Sequence, residues 1–388
     1  MIRELIQSAH RPREISAMVR MKISGAGNSQ HKETLAQIAI TQGDMAFCYA
    51  ALQKVSRSFA AVIQQLPLEL RDPVCIFYLV LRGLDSVEDD ATVPNNIKLP
   101  LLRTFYLKNN ETGWRINGVG DSADYRTLLA NYHKVSAAFR RLEPKYQLVI
   151  NDICKQMGEG MAEFAERSVK TLADYDLYCH YVAGLVGIGL SDLFAGSGLE
   201  SGQLRRQQAL SNSMGLFLQK TNIVRDYHED LQLGRRFWPR ETWGKYVSGF
   251  EMFEQRPTSS NSLACLNELV CDALRHSTDS LEYMQQLRNP AIFRFCAIPQ
   301  VMAMATLAEI YNNPDVYTSV VKIRKGLTAR LMMEVTDYVS LTRNFQLFAK
   351  AIENKLNPID PSSHLIRQRL QQILEVCQAQ HIAMKQAV

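Results

Sequence analysis

The pattern Asp-x-x-Glu-Asp occurs twice in this chain, at Asp85, Glu88 and Asp89 and again at Asp226, Glu229 and Asp230, each time inside an apolar stretch. Positions i, i+3 and i+4 share one face of a helix, so each copy predicts a patch of carboxylates projected in one direction. Carboxylates that close repel unless a cation sits among them. With Asp and Glu each near one residue in twenty, roughly 0.05 chance matches are expected in a chain of this length. Two copies are hard to ascribe to chance. Two facing carboxylate patches predict a site for Mg²⁺ and a polyanion.

The surroundings of both copies read as helix. Residues 74–81 (VCIFYLVL) are apolar on all sides, as in a buried helix leading into the first acidic patch, and Pro94 and Asn95 end it. Apolar residues at three- and four-residue spacings predict helices over 33–54, 73–90, 124–140, 145–170, 174–194, 204–231, 262–287 and 291–311. The Asn- and Gly-rich stretch within 106–123 reads as a loop, and 255–262 (QRPTSSNS) as a link. Few segments alternate with period two, so the expectation is an all-α fold. Residues 1–30 read as a mobile lead-in, 31–355 as the catalytic helical domain and 356–388 as a helical tail. The acidic copies lie 141 residues apart, and one cavity using both predicts a single-domain helical bundle.

Composition narrows the function classes. A chain of 388 residues with 46% hydrophobic and 21% charged residues is ordinary for a globular protein with a large core. The formal charge of +5 comes without a basic run interleaved with aromatics, which argues against nucleic acid as a partner. The eight cysteines are scattered, with no C-x-x-C pair, and read as small buried hydrophobes in a reducing compartment. No apolar signal peptide opens the chain. The longest charge-free stretches, 177–191 and 295–308, hold fifteen and fourteen residues. That is short of the roughly 18–20 needed to cross a bilayer, so both are expected to be core helices.

Several polar groups fall where the pattern predicts core. Arg82 and Arg225 each precede an acidic copy. Taken alone they are helix-surface ion pairs, worth at most about 1 kcal/mol; on helices apolar enough to be inside, charges must be paired or metal-bound. Ser56, Arg57, Ser58 and Phe59 interrupt an apolar helix, and Gln219, Lys220 and Asn222 lie within two turns of Asp226. Gly184, Gly187 and Gly189 follow Tyr178 and Tyr181 in one helical run. They allow either close helix packing or space for a long apolar chain. Patterning alone makes Tyr178 a core tyrosine, His180 a packed histidine, and Lys322, Arg324 and Lys325 a solvated basic loop.

The segments SRSF (56–59), FYLVLRGLDSVEDD (77–90), YCHYVAGLVGIGLSDLF (178–194), SNSMGLFLQKTNIVRDYHED (211–230), FCAIPQVMA (295–303) and VKIRKG (321–326) resemble the squalene synthases of the squalene/phytoene synthase family. They cover most of 45–330 in the family's order.

The resemblance implies a class I isoprenoid synthase fold with a central cavity. It also implies condensation of two farnesyl diphosphates to presqualene diphosphate, then reduction to squalene by NADPH, for sterol biosynthesis. By the same resemblance, Asp85, Glu88, Asp89, Asp226, Glu229 and Asp230 hold Mg²⁺, and Tyr178 is the proton-abstracting base. Arg57, Arg82, Arg225, Gln219, Asn222, Lys322 and Arg324 contact the cofactor or diphosphate. Ser56, Ser58, Phe59, Tyr78, Val182, Leu185, Phe295 and Pro299 contact the prenyl substrate. Phe293, Cys296, Val186 and Ile298 look suited to line a dry pocket. No glycine-rich dinucleotide fingerprint follows a strand, so NADPH is expected to bind without a Rossmann domain.

A monomer at the endoplasmic reticulum membrane, facing the cytosol, is expected, with the hydrophobic anchor usual in the family absent from this tail. The alternatives are an NADPH-independent phytoene or dehydrosqualene synthase and an inactive helical scaffold.

Overall fold

The structure is a computed structural model and describes residues 11, 13–18, 20 and 43–386, with side chains throughout except at 57, 58 and 380–386. Most of the lead-in at 1–30, the start of the helix read at 33–54 and the end of the tail lie outside the described residues. Among the described residues there is no strand. The all-α expectation holds. Contacts divide the chain into two compact units, one of 26–167 with 185–208 and one of 1–25, 168–184 and 209–388.

In the first unit the Leu68–Asp89 helix is the hub, touching the Gly43–Val55, Asn95–Lys108, Tyr132–Phe139, Pro144–Phe164 and Leu185–Ser197 helices. Val74, Cys75, Ile76, Phe77, Leu79 and Val80 are all buried, so this helix is apolar around its circumference because helices surround it. Ser56 explains part of its polar neighbourhood. It stands at the N-terminus of the Arg57–Ile63 helix, and its Oγ accepts from the Phe59 amide. The predicted loop runs from Asn109 to Ser122, where Gly113, Gly118 and Gly120 take positive φ.

In the second unit the Pro290–Ile310 helix packs on Tyr338–Glu353, which packs on Ser363–Gln386. The last of these also reaches Ser260–Leu274 and Ser277–Gln285. Residues 13–18 form a short helical stretch in which Glu14 is buried.

Two helices exceed the length that the charge-free stretches set, which corrects that expectation. Leu172–Ser197 has 26 residues and an apolar window of mean hydropathy 1.3; Pro290–Ile310 has 21 residues and a window of 1.5. Arg294 and Asp192 end the charge-free stretches, but an apolar helix tolerates isolated charges of this kind. The windows are 44% and 78% buried respectively, and the second is a core helix. All eight cysteines are free and buried, as expected.

Candidate active site

The first acidic patch closes the Leu68–Asp89 helix. The Arg82 guanidinium donates from Nη1 to Asp85 and from Nη2 to the Tyr78 hydroxyl at 3.3 Å. It also lies over the rings of Tyr78 and Tyr125, 5.7 and 5.3 Å from their centroids. Burial works against the charge on Arg82, but Asp85 and the two phenols outweigh it and hold its pKa above the usual range. Its Nε is buried with no hydrogen-bond partner. Asp85, Glu88 and Asp89 are each part-exposed.

Asp90, the next residue, has a different task. It accepts from Thr92 N and Oγ1 at 2.8 and 2.6 Å and from Gly120 N at 2.7 Å, stapling the loop to the helix end. Burial pushes its carboxyl up, but these donors hold it below the usual value. Gly120 has φ +121°, and a Cβ there would meet the Arg126 amide at 2.9 Å, so only glycine suits. Lys98 donates to the Glu88 carbonyl at 2.7 Å, satisfying one helix-end acceptor.

The second patch does not lie on one continuous helix. The run read as 204–231 breaks at Asp226, which has φ −92° and ψ 14° between the Gln208–Arg225 and Tyr227–Gln232 helices. The i+4 bond survives, since Asp230 N donates to Asp226 O at 2.9 Å. The pattern of three acids persists while Asp226 is set off by the turn. Arg225 grips Asp226 through Nε and Nη2 at 2.7 and 2.5 Å. Burial pushes the Asp230 carboxyl up to about 6, against the pull of Arg235, whose Nε lies 3.2 Å away. Glu229 is exposed.

An aromatic cluster that sequence reading missed braces this turn. Tyr227 lies 4.9 Å from both Phe250 and Tyr317 and 5.0 Å from Trp238, ring centre to ring centre. Its hydroxyl donates to Phe250 O, and Trp238 Nε1 donates to Ile223 O. The density of aromatics over 227–253 was the available signal.

Tyr178 closes the Leu172–Cys179 helix, which begins in a capping box made by Thr171 and Asp174. It is 4% exposed and stacks on Phe237 at 4.9 Å with planes 15° apart. A π turn follows over His180–Gly184, so the helix read through 174–194 carries an insertion just after the tyrosine. The extra residue re-aims the side chains that follow, a distortion frequent at functional sites. Close backbone approach holds it there. A Cβ on Gly215 would stand 2.1 Å from Ala183 O, and His180 Nδ1 pairs with Asn212 Oδ1 at 2.7 Å. Of the two roles left open for Gly184, this supports close packing.

The remaining predicted residues fall in several environments. Gln219 is half-buried and Asn222 exposed on the helix that ends at Arg225. Phe293, Phe295, Cys296 and Ile298 are buried on Pro290–Ile310, with Pro299 part-exposed among them. Val182 is part-exposed in the π turn; Leu185 is buried just beyond it and Val186 part-exposed. Phe59 lies 5.4 Å from Tyr78 ring to ring. Lys322 is exposed, while Arg324 is held by Glu14 at 3.2 Å and Glu309 at 3.2 Å. The side chains of Arg57 and Ser58 lie outside the described residues.

Among the described residues no three His, Cys, Asp or Glu side chains stand close enough to bind one metal ion. The donor chemistry nevertheless fits Mg²⁺. Each patch presents several carboxylate oxygens from part-exposed or exposed side chains, the oxygen donor set that Mg²⁺ takes.

Residues 52–327 match the squalene/phytoene synthase family model. The chain belongs to the squalene/phytoene synthase family. It is 47% identical to a squalene synthase of Botryococcus braunii across 98% of this chain and 82% of that protein. It is 46% identical to the squalene synthase of Nicotiana benthamiana across 94% and 87%. The solved complex of TcSQS with a ligand superposes with a TM-score of 0.85 at 45% identity, covering 87% of this chain and 99% of that one. A dehydrosqualene synthase structure, at 18% identity and a TM-score of 0.52, shares the fold only. An active isoprenoid synthase of the squalene synthase type is favoured over both the NADPH-independent alternative and a scaffold.

Proposed function

We propose that this enzyme condenses two molecules of farnesyl diphosphate to presqualene diphosphate and reduces that intermediate to squalene with NADPH. The observation that carries this reading is the near-half identity to squalene synthases over most of the chain, with both acidic motifs and Tyr178 in place. In the first half, the allylic C–O bond of one farnesyl diphosphate breaks and diphosphate departs. The double bond of the second farnesyl group attacks the cation, and loss of a proton closes the cyclopropane. Tyr178 takes that proton, as tyrosinate or by relaying it to the released diphosphate. In the second half, the C–O bond of presqualene diphosphate breaks and the skeleton rearranges to a cation that a reduced nicotinamide, when bound, would quench by supplying hydride.

Asp85, Glu88, Asp89, Asp226, Glu229 and Asp230 would hold Mg²⁺, which supplies charge to stabilise the departing diphosphate. Arg82 and Arg225 offer guanidinium donors to phosphate, and the unpaired buried Nε of Arg82 is suited to an added acceptor. Arg57, Gln219, Asn222, Lys322 and Arg324 would contact the reduced nicotinamide cofactor, which supplies the hydride. Ser56, Ser58, Phe59, Tyr78, Val182, Leu185, Phe295 and Pro299 would hold the prenyl chains. The apolar members of this set would help to exclude the water that captures such cations.

Residues 31–355 would act as one catalytic domain, monomeric and associated with the endoplasmic reticulum membrane on its cytosolic side. The direct test is incubation with farnesyl diphosphate and Mg²⁺, with and without NADPH. Squalene only with NADPH supports the reading. A hydrocarbon formed without reductant would make the enzyme a dehydrosqualene-type synthase, and untouched substrate would leave a scaffold.

A further inference from the structure

Lys220 is fully buried, and the mechanism above gives it no part. Its ammonium donates to Asp176 Oδ1 and Asp272 Oδ2, both at 2.5 Å, and lies 4.8 Å from the centre of the Tyr175 ring. Arg275 closes the cluster from outside, bonding Asp176 through Nη2 and pairing with Asp272 through Nε at 3.1 Å. Two cations and two carboxylates therefore balance. Lys220 is sealed while Asp176 and Arg275 reach solvent, so the cluster joins the two segments through a lysine that has no other charged outlet.

Those elements are the ones that matter for chemistry. Asp176 lies two residues before Tyr178 in the Leu172–Cys179 segment, which leads directly into the π turn. Lys220 lies on the helix that ends at Arg225, immediately before Asp226. The pair of His180 with Asn212 and the close approach of Gly215 to Ala183 tie the same two segments one turn further on. Lys220 joins the two segments on the N-terminal side of Tyr178, through Asp176.

We propose that Lys220 is a positioning residue: through Asp176 it sets the Tyr178 hydroxyl relative to the carboxylates that begin at Asp226. The inference rests on the reading of Tyr178 as the group that moves the proton in the first half-reaction. A lysine that only stabilised the fold would, when lost, reduce both half-reactions in proportion to the active fraction. One that positions Tyr178 affects the first half selectively.

Lys220→Met removes the ammonium and keeps the stem, but leaves two carboxylates facing one guanidinium. The charge-balanced combination of Lys220→Met with Asp272→Asn is the second variant, with folding checked by thermal unfolding. In single turnover with farnesyl diphosphate and Mg²⁺, presqualene diphosphate formation should fall about 10- to 100-fold, the loss that a misplaced group causes. Conversion of supplied presqualene diphosphate by NADPH should stay within about threefold of the parent. In a Tyr178→Phe background the Lys220 change should cost nothing more, because it acts through that residue. Proportionate losses in both halves, an unchanged first half, or losses that multiply with Tyr178→Phe overturn the inference alone. A Tyr178→Phe variant with a normal first half overturns the reading of Tyr178 itself, and this inference with it.

Discussion

Arg225 and Asp226 are neighbours in sequence, and the break between their helices lets them form a forked pair, with Nε on Oδ1 and Nη2 on Oδ2. Such a carboxylate is preorganised and already bears its counter-charge. Replacing Asp226 by Asn should lower farnesyl diphosphate consumption by about 10²- to 10³-fold, the loss typical when one electrostatic stabiliser is removed. Asp85→Asn, which breaks the equivalent pair with Arg82, should do the same. Normal turnover by either variant would remove the case for metal at that patch.

The basic segment makes a different prediction. Lys322 is exposed and Arg324 is engaged by two carboxylates, so Lys322 is the more accessible of the two to a phosphate. Lys322→Ala should slow the reductive half roughly 10-fold, as loss of one charged hydrogen bond does, and leave the condensation near normal. Rates of squalene formation and of presqualene diphosphate formation, measured separately, check this.

His276 provides the pH dependence of stability. It is buried, pairs through Nδ1 with Ser213 Oγ at 3.2 Å, and its Nε2 has no hydrogen-bond partner. Burial lowers its pKa from 6.5 to about 3, helped by Lys220 and Arg275. The unfolded chain therefore binds a proton that the folded one refuses between these values. Stability is fully present above about pH 6.5 and is lost as pH falls toward 3, by about 3–5 kcal/mol from this group. Urea unfolding midpoints across that range should fall with pH, and less steeply in His276→Asn.

Gly215 tests the close approach beside the π turn. The added methyl of Gly215→Ala would meet Ala183 O at 2.1 Å and Gly184 N at 2.7 Å, both backbone atoms that cannot rotate away. Destabilisation of about 2–3 kcal/mol is expected, seen as a lower Tm. An unchanged Tm would mean that the two segments separate at little cost.

Much of this is legible in the sequence. The all-round apolar stretch at 74–81 could only be a surrounded helix, and the acidic spacing located both patches. What the sequence did not reveal depends on tertiary partners. The π turn at His180–Gly184 is imposed by close contact with the Gln208–Arg225 helix, which no local pattern encodes. Asp226 reads as mid-helix because the turn that displaces it is braced by Trp238, Phe250 and Tyr317, as many as 91 residues away in the chain. Lys220 looked like one more polar residue near the site; only its partners, Asp176 and Asp272, show why a lysine is tolerated in the core.

The eight sealed thiols make the protein a natural clock for its own opening. Burial pushes the pKa of Cys48, Cys75, Cys154, Cys179, Cys265, Cys271 and Cys377 upward, so the reactive anion is scarce even where a reagent could reach. Alkylation by a maleimide therefore waits on unfolding, and the cysteines spread over both units allow mass spectrometry to time the exposure of each one separately.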